Sequence, residues 1–220
     1  MAIKGLLLDV DGTLLDSELW HHQAWNEVLR EHQLQLTEAE YMELIVGQST
    51  AHCAGIVNRH FGTSFDAKWL EGAVDAQVNE WFQSRPLPEM PGVESLLHWS
   101  RELGLRTGVV TGSSRLLVQT ALERTGWQEW IEVIVADDEV QHGNPHPEGY
   151  LAALRHLALK PEEGVSIEDS ATGAEAALAA GLACLVLPNR FTDQQTFPEG
   201  TQRIGSLKEA KRWISERLGG

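Results

Sequence analysis

The sequence of 220 residues has the length of one large domain, or of one domain with an inserted segment. Its hydrophobic share of 42% and charged share of 22% are close to globular averages, which excludes disordered, collagen-like and coiled-coil chains. The 17 basic and 32 acidic residues give a net charge of −15, which argues against nucleic acid or an anionic membrane as a partner. A phosphate-bearing ligand would need a local device to hold it, such as a metal ion or a helix N-terminus.

The cysteines favour a reducing compartment, and the apolar segments argue against a secretory signal and a membrane span. Cys53 and Cys184 are far apart in the sequence, and we expect both to be buried free thiols. The chain starts with only a short apolar run before Asp9, unlike a secretory signal, and no apolar stretch approaches the roughly 20 residues of a membrane span. These features predict a cytoplasmic protein without a membrane partner, and a monomer is the simplest expectation.

The first 91 residues predict one strand followed by a helical insert. The apolar run Ile3–Leu8 stops at the sequence Asp-Val-Asp-Gly-Thr, which is typical of a buried strand that ends in a glycine turn. Residues 16–91 contain no convincing strand and end in a stretch with three prolines. Helical patterns within them occur at 18–30, 38–46, 50–61 and 67–82. We therefore predict a core domain of residues 1–15 and 92–220 and a cap domain of residues 16–91.

Strand and helix patterns alternate in the rest of the chain. Strands are predicted at 107–110, 132–136, 165–167 and 184–187, and helices at 93–103, 115–124, 148–157 and 171–180. The polar segment 188–205 predicts a loop before a last helix at 207–218. This alternation predicts an α/β fold, a Rossmann-like parallel sheet with helices on both faces.

Oxygen-bearing side chains follow four of the five predicted strands. They are Asp9 and Asp11, residues 111–114, Asp137-Asp138, and residues 168–170. Ligands of an open parallel sheet bind beyond the carboxyl ends of its strands, and crowded carboxylates repel each other unless a divalent cation joins them. Oxygen ligands favour Mg²⁺, and the chain lacks the motifs of an EF-hand, a P-loop, a dinucleotide site or a zinc site. We expect Asp137-Asp138 to cap a loop, and Ser17 and Ser170 to cap helices.

Three motifs, in order along the chain, resemble signatures of the haloacid dehalogenase superfamily. Residues 6–18, LLLDVDGTLLDSE, are similar to its first signature, residues 109–113, VVTGS, to its second, and residues 165–173, VSIEDSATG, to its fourth. The helical insert lies where this superfamily has a helical cap. Residues 16–25, DSELWHHQAW, are most similar to the group of beta-phosphoglucomutase and sugar phosphatases.

The resemblance implies Mg²⁺-dependent phosphoryl transfer and a role for each motif residue. Asp9 would attack phosphorus and form an aspartyl phosphate, while Asp11 would protonate the leaving oxygen and then activate water. Asp9, the backbone carbonyl of Asp11, Asp169 and Glu168 would hold the metal. Thr111 and Gly112 would bind the transferring phosphoryl group.

The third signature departs from the pattern of the superfamily. A Lys precedes Pro there, whereas this chain has Asn144 in the segment 141–147, QHGNPHP. One unit charge at about 4 Å and an effective dielectric of about 20 is worth at most roughly 4 kcal/mol, on the order of a thousandfold in rate. Three interpretations follow: a slow phosphatase, replacement by another cation (Arg115, His142 or His146), or a protein that binds a phosphorylated metabolite without turnover.

The cap distinguishes hydrolysis from a sugar-phosphate mutase reaction. In the resembling mutases a cap Arg after a Gly, with a second cation, grips the distal phosphate of a bisphosphate. The matching stretch from Gly47 contains neither Lys nor Arg, although His21 matches a cap His that the mutase uses near its acid/base. From this correspondence we predict that Gly47, His21 and Asn144 contact the phosphate or the substrate. We therefore expect hydrolysis of a small phosphorylated metabolite. We also expect the four cap tryptophans to be core rather than a sugar-stacking platform; they are Trp20, Trp25, Trp69 and Trp81.

Overall fold

The computed structural model of the chain describes residues 2–48 and 50–218, with the backbone alone at positions 50 and 51. Within that part the strands are β1 (Gly5–Leu8), β2 (Arg106–Val110), β3 (Val133–Val135), β4 (Gly164–Glu168), β5 (Ala183–Val186) and β6 (Gln202–Arg203). They form one sheet in the order β3-β2-β1-β4-β5-β6, and every neighbouring pair is parallel. The predicted Rossmann-like fold is confirmed.

Helices cover both faces of the sheet because successive side chains of a strand point to opposite sides. Leu6 and Leu8 of β1 enter one hydrophobic cluster, and Leu7 between them enters another. The first cluster includes side chains from α5 (Val93–Glu102), α6 (Arg115–Thr125) and α9 (Leu207–Ser215). The second includes side chains from α7 (Glu148–His156) and α8 (Ala171–Ala179).

Four helices lie between β1 and α5, as the pattern predicts. They are α1 (Glu18–Arg30), α2 (Glu38–Leu44), α3 (Thr50–Phe61) and α4 (Ala67–Ser84). Thr37 and Glu40 form a capping box that starts α2, and Asp66 accepts the N–H of Trp69 at the start of α4. None of the helices in the described ranges is long and apolar enough to cross a membrane.

The chain leaves the core and returns to it at adjacent points. Leu15 pairs with Glu89 in an antiparallel bridge. The N–H of Asp16 donates to the carbonyl of Pro88 at 2.7 Å, and the N–H of Met90 donates to the carbonyl of Leu14 at 2.9 Å. That these two crossings are the hinges of a separate cap domain, with boundaries at residues 16 and 91, stays a prediction.

The segment 188–205 contains a strand that the sequence pattern does not indicate. Strand β6 consists of two exposed residues, Gln202 and Arg203, at the edge of the sheet. Because neither side chain is buried, there is no hydrophobic alternation to signal a strand. Its pairing with β5 comes from backbone hydrogen bonds and tertiary position alone.

Candidate active site

The order of the strands brings the polar motifs to one edge of the sheet. Strand β1 lies between β2 and β4, so the residues that follow these three strands become neighbours. Carboxylate oxygens of Asp9, Glu168 and Asp169 lie within 4.8 Å of one another, and all three side chains are buried. Gly12 makes this possible: its φ is +83°, and an added side chain there would collide with the Asp169 carboxylate.

Burial and mutual repulsion make this acidic cluster unfavourable without a counterion. Burial, and then the charges of Glu168 and Asp169, raise the pKa of Asp9 well above its ordinary value. Burial raises the pKa of Glu168 to about 8, although the hydroxyl of Tyr150 donates a hydrogen bond to its carboxylate. Among the described residues, none hydrogen-bonds the second oxygen of Glu168. Clustered, buried oxygen donors of this kind fit a hard divalent cation such as Mg²⁺.

Asp11 lies beside the cluster, where three side chains donate to its carboxylate. Hydroxyl groups of Ser17 and Ser113 donate to its two oxygens, Ser113 at 2.6 Å, and Nε2 of His21 lies 2.9 Å away. Burial opposes the charge of Asp11, but the charge and hydrogen bond of His21 and the two hydroxyls outweigh it and lower the pKa to about 2. Burial also opposes the charge of His21, yet Asp11 raises the His21 pKa to about 9. The pair is therefore ionised at neutral pH.

The predicted helix caps divide into one that forms and one that does not. Ser170 accepts the N–H of Gly173 at 3.1 Å and caps α8, as predicted. Ser17 occupies the N-cap position of α1, as predicted, but its hydroxyl makes no cap hydrogen bond and donates to Asp11 instead. Asp138 accepts the N–H of Arg115 at 2.9 Å, so this carboxylate holds the start of α6.

A cavity of about 60 Å³ lies between the inserted helices α1, α2 and α3 and the sheet edge. All predicted site residues except Glu168 line it: Asp9, Asp11, Thr111, Gly112, Asn144 and Asp169 from the core side, and His21 and Gly47 from the inserted helices. Trp25 also lines it, so a side chain expected in the core is both buried and part of the cavity wall, whereas the same expectation is wrong for Trp69, which is 46% exposed. Small-molecule sites typically exceed about 300 Å³, so we call this arrangement of the inserted helices closed.

Direct contacts hold this closed arrangement. The hydroxyl of Thr172 donates to the carbonyl of Gly47 at 2.5 Å, and Arg190 pairs with Glu38 at 2.7 Å. Gly47 has a φ of +82°, and an added side chain would collide with Thr172 and Ser170. Gly47 is thus a point of close approach to the start of α8, and its role in binding substrate stays a prediction. Ser49, in the same stretch, lies outside the described residues.

None of the proposed replacements for the missing Lys lines the cavity. Arg115 donates to Glu139 at 2.6 Å and to the carbonyl of Ile134 at 2.8 Å, and it lines a different cavity. His142 and His146 are exposed and face Glu148. In this closed arrangement, therefore, none of these three side chains takes the place of the missing Lys. In the described ranges the basic side chain that lines the cavity is His21, and Asn144 brings no charge.

Two further polar groups at the site, Asn189 and Tyr41, have no signal in the sequence. Asn189 donates to Asp169 at 2.7 Å from the segment predicted as a loop. Tyr41 donates to the buried Glu18 at 2.7 Å, and both line the cavity. Each partner comes from a distant part of the chain, so only the folded structure reveals it.

Known proteins are similar to this chain in sequence and in fold over most of its length. Residues 3–181 match the profile of the haloacid dehalogenase-like hydrolases. The chain is 33% identical to Protein CbbY of Rhodobacter capsulatus, over 96% of both chains, and 30% identical to the validoxylamine A 7'-phosphate phosphatase of Streptomyces hygroscopicus subsp. limoneus, again over 96% of both. A crystal structure of a CbbY variant from Rhodobacter sphaeroides in complex with xylulose-(1,5)bisphosphate superposes with a TM-score of 0.86 at 28% identity, covering 94% of this chain and 96% of that one. The predicted family and its enzyme class are thus confirmed, and the chain belongs to the haloacid dehalogenase-like hydrolases.

Proposed function

We propose that the protein is a Mg²⁺-dependent phosphomonoester hydrolase that acts on small phosphorylated metabolites, above all sugar phosphates, through an aspartyl phosphate. The observation that carries the proposal is the buried cluster of Asp9, Glu168 and Asp169 next to the ionised pair of Asp11 and His21. The relatives add support, since one is named a phosphatase of a phosphorylated metabolite and the CbbY variant binds a sugar bisphosphate.

The acidic cluster would hold the metal and present the nucleophile. Asp9, Glu168 and Asp169 would hold Mg²⁺, which offsets their charge and that of the phosphoryl oxygens when bound. A carboxylate oxygen of Asp9 then forms a bond to phosphorus as the bond from phosphorus to the leaving oxygen breaks. Thr111 and Gly112 border the same cavity, and the Thr111 hydroxyl and the Gly112 N–H would bind the transferring oxygens.

The pair of Asp11 and His21 would transfer the proton to the leaving group and accept one from water. Because His21 holds a proton 2.9 Å from the ionised Asp11, this proton would pass from His21 through the Asp11 carboxylate to the departing alcohol oxygen. In the second step water attacks phosphorus, Asp11 accepts its proton and returns it to His21, and the bond from phosphorus to Asp9 breaks. Inorganic phosphate leaves and the Asp9 carboxylate is restored.

Phosphate release from a panel of sugar phosphates, with and without metal, tests the proposed function. We expect release in Mg²⁺, loss of release in EDTA, and recovery when excess Mg²⁺ is restored. Mg²⁺ should also raise the unfolding temperature, because it binds the native cluster and relieves its repulsion. Release that persists unchanged in EDTA would contradict the metal site.

Replacing His21 tests the proposed proton relay. We expect His21→Ala to lower turnover of sugar phosphates by a factor on the order of 10²–10⁴, the usual contribution of general acid catalysis. Turnover of p-nitrophenyl phosphate should fall less, because nitrophenolate leaves without a proton. His98→Ala is the matched control, since His98 is exposed and its ion pair is with Glu102 of the same helix. An equal loss on both substrates would show that His21 acts through charge or packing and not as a proton source.

The lining of the cavity favours hydrolysis over a mutase reaction. No Lys or Arg in the described ranges lines the cavity. Such a cation would be needed to hold the second phosphate of a bisphosphate while that molecule reorients in the site. We expect no interconversion of sugar phosphates in the presence of a bisphosphate activator. Interconversion faster than phosphate release would overturn this assignment.

A further inference from the structure

A second group of metal-ligating side chains lies outside the active-site cavity. His142, His146 and Glu148 belong to the loop before α7 and the first residue of that helix, and each offers one ligand atom within 4.8 Å of the others. Nδ1 of His142 lies 3.0 Å, and Nδ1 of His146 4.0 Å, from the same oxygen of Glu148. The centroids of the two imidazole rings lie 4.7 Å apart, and their planes are tilted by 40°. We call residues 142–148 the histidine loop.

The spacing of these three atoms is close to that of a tetrahedral metal site. Zinc bonds of about 2.0–2.2 Å place ligand atoms about 3.3–3.6 Å apart, between the two distances from Glu148 to the histidines. Backbone N–H groups of Gln141 and His142 hold the Glu148 carboxylate at 3.0 and 3.2 Å. Both histidines are more than half exposed, so water can complete the coordination. Two imidazoles with one carboxylate favour Zn²⁺, Ni²⁺ or Cu²⁺ over Mg²⁺.

The histidine loop also reaches the active site. Asn144, between the two histidines, lines the active-site cavity. His142 and Asn144 further share a smaller cavity with Thr111, the residue proposed to bind the phosphoryl group. An ion that joins His142 to His146 would therefore fix the segment that presents Asn144.

We propose that His142, His146 and Glu148 form a binding site for a divalent transition-metal ion, with Zn²⁺ as its reference ligand, separate from the Mg²⁺ site. This site does not depend on the proposed phosphatase function, because none of its three ligands lines the active-site cavity. Its occupancy would couple to turnover through the position of Asn144.

Calorimetric titration with Zn²⁺ tests the proposal. Saturating Mg²⁺ is included so that it occupies the acidic cluster. We expect wild type to bind one Zn²⁺ ion, and His142→Ala and His146→Ala each to weaken binding at least tenfold. His98→Ala, which removes a histidine from another exposed histidine–glutamate pair, should bind as wild type. Cu²⁺ electron paramagnetic resonance should show two coordinating nitrogens in wild type and one in each loop variant.

Two outcomes would overturn the site. One is the absence of Zn²⁺ binding by wild type in saturating Mg²⁺; the other is equal binding by wild type and both loop variants. Phosphate release in Mg²⁺ alone should survive both substitutions, so a failed metal site is distinguishable from a failed phosphatase assignment.

Discussion

Replacing Asp9 with Asn is expected to abolish phosphate release while it stabilises the metal-free protein. The amide cannot attack phosphorus, so turnover should fall roughly 10⁴-fold or more. The same change removes a buried charge whose pKa is raised by burial and by Glu168 and Asp169. In EDTA, therefore, the variant should unfold at a higher temperature than wild type.

The pH dependence of this stabilisation follows from the direction of the pKa shift. Because the pKa of Asp9 is higher in the folded than in the unfolded protein, wild type loses stability as pH rises through the folded value. The advantage of Asp9→Asn in EDTA should thus grow with pH and disappear in acid, where Asp9 is protonated in both states.

A matched variant separates the effect of Asp9 from a general effect of lost charge. Asp193→Asn changes an exposed carboxylate, and it should alter neither turnover nor the unfolding temperature. Substantial turnover by Asp9→Asn would refute its assignment as nucleophile. Unchanged stability in EDTA would refute the strain that we attribute to the acidic cluster.

Replacing Asn144 with Lys is expected to increase turnover, by up to about a thousandfold. Asn144 lines the cavity that Asp9 also lines, and the described residues provide no Lys or Arg there. A cation at about 4 Å and an effective dielectric of about 20 would stabilise the transferring phosphoryl group by at most roughly 4 kcal/mol. The measurement is kcat/KM for phosphate release at saturating Mg²⁺.

Asn144→Met provides the control, because Met has a long unbranched side chain without charge, and it should give no increase. A Lys variant no faster than wild type would show that the cation of His21 suffices or that position 144 does not face the phosphoryl group. If wild type releases no phosphate and Asn144→Lys does, the protein binds phosphorylated metabolites at a site that is intact apart from this missing charge. Active wild type would instead establish a phosphatase that works without this Lys.

Most of the fold is predictable from the sequence because burial follows its hydrophobic pattern. The strand β1 is apolar along its whole length, and α1 and α3 begin and end where their helical patterns do. Strand β6 is the exception, since its two residues are exposed and only the neighbouring strand selects an extended backbone. The strand order, which makes the acidic residues neighbours, also depends on tertiary packing.

The candidate site is predictable where its residues follow strands, and less so where distant segments meet. Asp9, Asp11 and Asp169 are found from their motifs, and the structure brings them together. Arg115 shows the limit: its charge suggests a substitute for the missing Lys, but Glu139 binds its guanidinium instead. Such competition between partners depends on side-chain positions that no sequence pattern specifies.

The paired crossings at Leu15 and Glu89 have a consequence for the evolution of specificity. Because the two ends of the inserted segment are hydrogen-bonded side by side, the segment can be exchanged for another of different length without shifting the strands that present the carboxylates. Selection can therefore vary the surface that meets the substrate while the apparatus for phosphoryl transfer stays constant. A chimaera that joins this core to the helices of a relative should inherit the substrate preference of the donor.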